Sequence, residues 1–145
     1  MVEDGSPFEP RISAFLETHF VGCLATVDER GQPYVVPVCY AAGPDRIFSI
    51  IDEKPKDVSR RELKRIRNIR ANPWVCLTVD TYDDDWSRLG YVMVRGTAVI
   101  ATSGPEHDAA VPLLRARYRQ YRHLNFEGRA VIAISPRRVV AWGRV

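Results

Sequence analysis

The alternation of apolar and polar positions divides the chain into short strands with a few helices between them. Near the start, apolar residues recur at helical spacing, and Ile12, Phe15 and Leu16 mark one face of a helix predicted over about 9–19. Residues 21–51 are rich in Val, Ile, Tyr and Cys and are interrupted by two short turn signals. They predict three consecutive strands, which short turns can join only in antiparallel order.

The middle of the chain predicts a second helix and two further strands. Ser59 and Glu62 match a capping box, so the helix is predicted over 59–71, where the following Asn-Pro ends it. Strand-forming residues resume at 74–79, and after an acidic turn a long strand is predicted over about 89–101.

The last third predicts one helix and two closing strands. Pro105 suits the first turn of a helix that extends to about residue 121. Strands are predicted at 130–135 and 139–142, separated by Pro136 and two arginines. The total is six or seven antiparallel strands with three peripheral helices. Closure of such a sheet into a small barrel is the simplest way to remove its exposed edges.

Length and composition favour one globular domain over residues 1–145. The chain has 46% apolar and 27% charged residues, which is ordinary for a globular protein. No apolar run approaches the roughly 20 residues that a membrane-spanning helix needs. The acidic start at 1–5 lacks the features of a signal peptide. We therefore expect a cytoplasmic protein with no membrane partner.

Cysteine and histidine positions predict no metal site. Cys23, Cys39 and Cys76 are odd in number, lie within apolar stretches and form no CxxC pair, so we expect three reduced, buried thiols. The three histidines form no metal-ligand pattern. No GxSxG, GxGxxG or Walker sequence is present, so the sequence identifies no catalytic group.

Positive charge is concentrated between the third strand and the second helix. Residues 54–70 hold eight Lys or Arg against two acids. A helix N-terminus with basic residues around it favours a phosphate. A solvated basic surface is the alternative interpretation. A nucleic-acid surface is a third, but no aromatic residues alternate with the basic ones and no nucleic-acid motif is present.

The order of these motifs resembles the pyridoxamine 5'-phosphate oxidase-like superfamily. The resemblance rests on 22–27, 31–38 and the run LKRIRNIRANP at 63–73, which is similar to the family's basic pair followed by Arg-Asn-Leu and Asn-Pro. Within the superfamily, 52–56 and 82–89 resemble a branch of coenzyme F420-dependent enzymes. The resemblance implies a mainly β (α+β) fold, a six- to seven-stranded antiparallel split β-barrel with peripheral helices.

The resemblance also implies a homodimer with a cofactor groove at its interface. The cofactor would be coenzyme F420, with FMN as the alternative, held on the second and third strands. The residues expected to face its ring are Val36, Pro37, Ser49, Ile50 and Ile51.

The same resemblance assigns the cofactor phosphate to basic residues. Lys64 and Arg65 match the family's basic pair, whereas Lys54 and Lys56 belong to a longer loop of this branch. Because that loop replaces the family's usual short one, which residue meets the phosphate stays open.

Trp86 and Arg88 follow the acidic turn and are further candidates for cofactor contact. An indole can stack on a flat ring, and an Arg can pair with a phosphate or carboxylate. The alternative for Trp86 is an aromatic anchor at the dimer interface. For the aspartates at 80–85 we expect turn solvation or ion pairing with the basic helix, since an EF-hand pattern is missing.

The resemblance implies a reductase that transfers hydride from reduced coenzyme F420 to a small unsaturated substrate. An FMN-dependent oxidoreductase of the same fold is one alternative. A flavin- or deazaflavin-binding carrier without turnover is another, because the sequence shows no acid-base pair. A nucleic-acid module using 60–70 would instead bind in a strongly salt-dependent way.

Overall fold

The computed structural model describes residues 6–52 and 63–145. Within these ranges the helices are α1 (Pro10–Thr18), α2 (Lys64–Ala71) and α3 (Pro105–Arg117), with short 3-10 helices at Trp86–Arg88 and Arg119–Tyr121. The strands are β1 (Gly22–Val27), β2 (Pro33–Val38), β3 (Ala41–Ala42), β4 (Ile47–Ile50), β5 (Trp74–Thr81), β6 (Gly90–Ala101) and β7 (Val131–Gly143). None of the described helices is long and apolar enough to cross a bilayer.

The seven strands form one antiparallel sheet in the order β2-β1-β5-β6-β7-β4-β3. The two edge strands, β2 and β3, are consecutive in the chain and are separated only by Cys39 and Tyr40. So short a link can join opposite edges only if the sheet curls until they approach each other. The sheet is a curled half-barrel, and the predicted antiparallel, mainly β fold with peripheral helices is confirmed. The second predicted strand is divided into β2 and β3, because after Val38 the chain passes from one edge of the sheet to the other.

The main core lies on the inner face of the curled sheet. Every second residue of β5 and β6 points inward, and each of these apolar side chains contributes about 1.5–3 kcal/mol on burial. The inward residues include Leu77, Val79, Val92 and Val94. The helices α1 and α2 cover this face. The predicted apolar face of α1 is confirmed, since Ile12, Phe15 and Leu16 are all buried.

A second core forms where α3 covers β4 and the first half of β7 from the other side. All four residues of β4 are therefore buried. The α3 helix ends at Arg117 and not near residue 121, and a 3-10 turn follows that carries Tyr121 into this core beside Phe126. Packing of α3 thus places the Tyr121 side chain next to the end of β4.

The two predicted closing strands are one continuous strand, β7. Pro136, expected to separate them, lies opposite Gly96, and the register shifts so that Arg137 is an extra residue on β7. Such a bulge accommodates a proline within a strand pair. Only glycine fits at Gly96, because a Cβ there would lie 2.1 Å from the Ser135 carbonyl oxygen.

The second helix begins at Lys64, later than predicted. Leu63 is its N-cap in an extended conformation (φ −57°, ψ 149°) and offers no side-chain cap, so a helix running through this position from Ser59 is wrong. The predicted capping box falls within 53–62, outside the described residues. The helix is anchored by Asn68, which is 2% exposed and donates from Nδ2 to Thr26 Oγ1 at 3.0 Å.

The three cysteines are free, but their predicted burial is wrong for Cys23. Cys23 is exposed, whereas Cys39 and Cys76 are half-buried. The reason is the alternation of β1, which directs Leu24 inward and its neighbours outward.

Candidate functional site

A groove of about 500 Å³ opens where the half-barrel does not close, between β2 and β4. This volume is within the range of small-molecule sites. Its apolar walls include Val36, Pro37, Val38, Ile50 and Leu63. The polar side chains that line it include Ser49, Asp52, Arg65 and Tyr121.

Four of the five strand residues predicted to face a cofactor ring line this groove. Val36 and Pro37 come from β2, and Ser49 and Ile50 come from β4. Ile51 instead packs against the main core, and its N–H donates to the Ala130 carbonyl at 2.9 Å. Among the strands within 6–52 and 63–145, β2 pairs with β1 alone, so its other edge leaves backbone groups open to a ligand in the groove.

Arg65, the second residue of α2, reaches into the groove. Its Nε is buried, and within the described ranges no group accepts its hydrogen. A buried donor without an acceptor costs about 1–3 kcal/mol, and more when it is charged. The N-cap Leu63 also offers no side-chain oxygen to the first N–H groups of the helix. This corner therefore has the properties of an anion site.

Lys64, the other member of the predicted basic pair, points elsewhere. Its Nζ lies 3.7 Å from Asp28 Oδ2 in the β1–β2 turn, and its side chain is 40% exposed. Successive helix residues project about 100° apart, which directs Lys64 away from the side of the helix where Arg65 lines the groove. Backbone hydrogen bonds, first that of Gln32, and then the nearby Lys64 lower the pKa of Asp28. Lys54 and Lys56 fall outside the described residues.

An Asp52–Tyr121 pair is the part of the groove that sequence reasoning missed. The Tyr121 hydroxyl donates to Asp52 Oδ2 at 2.8 Å, and Arg129 Nη1 donates to the Asp52 backbone oxygen at 2.6 Å. Burial, reinforced by the neighbouring Asp52 and Cys39, raises the pKa of Tyr121. Asp52 and Tyr121 are 69 residues apart, and no motif links them.

Trp86 and Arg88 do not line the groove. They lie on the 3-10 helix between β5 and β6, where the Trp86 side chain is 81% exposed. Arg88 lies 3.5 Å from an Asp85 carboxylate oxygen and 3.7 Å from one of Asp83. Asp85 also accepts hydrogen bonds from Ser87, which lower the pKa of Asp85. Asp83 and Asp85 thus pair within their own turn, with Arg88, and neither forms an ion pair with a described residue of the basic helix.

The outward residues of β2, β1, β5, β6 and β7, here called the outer face, form a largely apolar surface. Large side chains on it are exposed, including Val35 (62%) and Trp142 (54%). Its centre is built from Thr78, Met93 and Val140, which are neighbours across three strands.

The outer face is basic at one end and acidic at the other. Arg95 and Arg138 are direct neighbours across β6 and β7, beside the extra residue Arg137, and none of the three forms an ion pair with a described residue. Asp80 lies on the same face of β5, four residues beyond the partner of Arg95.

Residues 8–143 match the pyridoxamine 5'-phosphate oxidase family. A curated relative, the 5a,11a-dehydrotetracycline/5a,11a-dehydrooxytetracycline reductase of Streptomyces rimosus, is 30% identical over 139 residues. The alignment covers 94% of this chain and 84% of that protein. The resemblance to this family is confirmed, whereas the F420-dependent branch stays a prediction.

Solved structures share the fold. The conserved hypothetical protein Rv2991 of Mycobacterium tuberculosis superposes with a TM-score of 0.74 at 22% identity, over 97% of this chain and 87% of that one. A FAD-binding protein of Mesorhizobium loti gives 0.64 at 24% identity, over 89% of each chain. HutZ, a heme storage protein of Vibrio cholerae, gives 0.68 at 17% identity, over 93% of each.

Relatives with one fold and different cofactors show that the fold alone does not select the ligand. The match over nearly the whole chain, the reductase relative and the shared half-barrel agree: the chain belongs to the pyridoxamine 5'-phosphate oxidase family and is oxidoreductase-like.

Proposed function

We propose that this chain is a reductase that binds reduced coenzyme F420 in the groove and uses it to reduce a small unsaturated substrate. FMN is the alternative cofactor. The observation that carries the proposal is the buried Arg65 Nε, which has no acceptor among the described residues and lies at the start of α2 in an apolar-walled groove. Three unpaired cysteines suit the reducing cytoplasm, which we propose as the location.

The groove residues fit such a cofactor. Arg65 and the first N–H groups of α2 would hold the phosphate, and the walls at Val36 and Ile50 would enclose the ring and exclude water. When bound, the cofactor supplies the hydride. The open edge of β2 would pair with polar atoms of the ring, and the exposed groove rim at Val21 and Tyr34 would leave room for a flat substrate above it.

The reductase relative guides the substrate class. The protein from Streptomyces rimosus is named for reduction of dehydrotetracyclines, and we propose that the substrate here is likewise a flat, unsaturated molecule. Hydride addition to a double bond needs a proton for the neighbouring atom. That proton would come from water or from a side chain at the groove, and we assign no catalytic acid.

Titration with coenzyme F420 and with FMN, followed by absorbance and fluorescence, tests the proposal. We expect micromolar binding of one of them. Arg65→Gln should weaken it about ten- to hundredfold, because a hydrogen bond to a charged group is lost. Lys64→Gln is the matched control and should change the affinity less than about threefold, because exposed pairs contribute little. Absence of binding to either cofactor would exclude the proposal.

Single-turnover oxidation of the bound reduced cofactor separates an enzyme from a carrier. A reductase should oxidise it when an unsaturated acceptor such as a dehydrotetracycline is added, faster than the free cofactor reacts. Binding without any acceleration over a panel of acceptors would support the carrier.

We further propose that the chain forms a homodimer through the outer face. Exposed apolar surface of this kind marks interaction sites, and a two-fold interface uses the same patch on both copies. A two-fold axis near Thr78 would bring Arg95 of one copy to Asp80 of the other. Since Val35 and Val36 of β2 border the outer face and the groove respectively, a second copy would also reach the groove rim, as expected for a cofactor site at the interface.

Sedimentation of charge-reversed variants tests the dimer. Arg95→Glu should weaken dimerisation at least about tenfold, because it opposes two carboxylates. The double variant Arg95→Glu with Asp80→Arg should restore it. A wild-type protein that is monomeric at micromolar concentration would refute this dimer, and an unrescued double variant would refute its register.

A further inference from the structure

The Asp52 carboxylate is held in a single orientation at the groove. The Tyr121 hydroxyl donates to its Oδ2 at 2.8 Å, and Arg129 fixes the backbone of the same residue through its carbonyl oxygen. Within residues 6–52 and 63–145, Asp52 Oδ1 accepts no hydrogen bond, although both Asp52 and Tyr121 line the groove. A carboxylate has further lone pairs and accepts hydrogen bonds only.

Tyr121 cannot turn away from Asp52. It is 2% exposed, and its ring packs against Tyr118 and Phe126, each with a centroid distance of 5.2 Å. Burial and the adjacent carboxylate raise the pKa of Tyr121, so its hydroxyl stays protonated and keeps donating. Tyr121 is therefore a positioning residue, and Asp52 is the group that can contact a ligand.

The groove is thus polarised, with a cation at Arg65 and a hydrogen-bond acceptor at Asp52, and no ion pair joins these two described residues. A ligand that satisfies both must be anionic at one end and carry an N–H or O–H donor at the other. The rings of flavins and deazaflavins share one such donor, the imide N–H between two carbonyl groups of the pyrimidine ring.

We propose that Asp52, oriented by Tyr121, accepts a hydrogen bond from this imide N–H and so determines which way round the ring lies in the groove. The inference rests on the proposed function. It assigns the pyrimidine edge to the Asp52 end and the phosphate to the Arg65 end. The negative charge beside the ring also disfavours extra electron density on it, so Asp52 makes the bound reduced cofactor a stronger hydride donor.

Binding of FMN and of 3-methyl-FMN, whose imide hydrogen is replaced by methyl, tests the assignment. In the wild-type protein, methylation should weaken binding at least about tenfold. Asp52→Ala should weaken the binding of FMN by a similar factor. The affinity for 3-methyl-FMN should stay within about twofold of the value for the wild-type protein. Tyr121→Phe should give a smaller loss of the same kind. Asp84→Ala, which removes an exposed carboxylate, should change nothing.

The midpoint potential of bound F420 or FMN is the second readout. Asp52→Asn, which keeps the shape and the fold, should shift it to a more positive value. Equal affinity of the wild-type protein for FMN and its methyl analogue, equal losses for both ligands in Asp52→Ala, or an unchanged potential would overturn the assignment while the proposed function stands. If neither F420 nor FMN binds, the proposed function fails and this inference fails with it.

Discussion

The α2 corner of the groove and the β5–β6 turn both carry an arginine that the sequence predicts as a cofactor contact, yet the structure treats them differently. Arg65 at the α2 corner has a buried Nε without an acceptor among the described residues. Arg88 at the turn is 63% exposed and has two carboxylates, Asp83 and Asp85, within 4 Å. Positive charge therefore indicates a ligand site only where the chain leaves it unpaired and shielded from water.

The energetic reason lies in the surroundings of each charge. An exposed ion pair contributes about 0–1 kcal/mol, because water already solvates both partners. A buried, unpaired donor costs more, and a ligand that supplies the acceptor recovers that cost on binding. An anion thus gains much at Arg65 and little at Arg88.

The largest effect on cofactor affinity should come from placing a carboxylate beside Arg65, as Asp83 and Asp85 already lie beside Arg88. Leu63→Asp places a carboxylate at the N-cap of α2, two residues before Arg65, where Asp is also a favourable cap. It should pair with Arg65 and repel the phosphate, so FMN affinity should fall about a hundredfold. Riboflavin, which lacks the phosphate, should lose far less. Isothermal titration of both ligands measures the difference.

Leu63→Asn is the matched control, since it caps the helix without adding charge. Its FMN affinity should stay within about threefold of the wild-type value, the part due to lost apolar contact. Equal losses in the Asp and Asn variants would mean that apolar packing at Leu63, and not the free charge of Arg65, makes the site.

The difference between Lys64 and Arg65 shows what the sequence can predict here and what it cannot. The basic pair was recognisable as a motif, and its phosphate role stays a prediction. The choice between its members depends on where the helix begins, and the capping-box pattern placed the N-cap four residues too early. The N-cap is Leu63, which no local preference indicates, because tertiary packing of its side chain against the core overrides capping chemistry.

Long-range pairing explains most of the other differences. The antiparallel sheet followed from alternation and turn signals, which are local, whereas the strand residues of the groove came from the family resemblance. The Asp52–Tyr121 pair depends on how α3 packs against β4, and the unbroken β7 depends on Gly96 facing Pro136 across a strand pair. Neither relation leaves a local pattern, so neither could be read from the sequence.

A second, smaller contrast concerns the side-chain hydrogen bonds that hold α2 and the β5–β6 turn in place. Asn68→Ala removes the buried hydrogen bond to Thr26 that holds α2 against β1, so the free energy of unfolding should fall by about 1–3 kcal/mol. Ser87→Ala removes only an exposed hydroxyl from the turn and should cost less than about 0.5 kcal/mol. Urea denaturation of both variants measures this. A similar loss in both would contradict the view that the groove corner is rigidly held and the turn is not.

The smallest expected effect is a difference in pH dependence between the groove and the β5–β6 turn. Hydrogen bonds from Ser87 lower the pKa of Asp85 below its ordinary 3.8, so this cap is present above pH 3.8 and is lost only as the pH falls through the lowered value. The second pKa of a phosphate monoester is about 6. FMN affinity should therefore fall about two- to fivefold between pH 7 and pH 5, the effect of one charge near a helix N-terminus. Riboflavin affinity should not change, and the Ser87 amide shift in NMR should stay constant over that range. A parallel change of FMN and riboflavin affinity would show that the groove responds to a protein group, and that the phosphate does not meet Arg65.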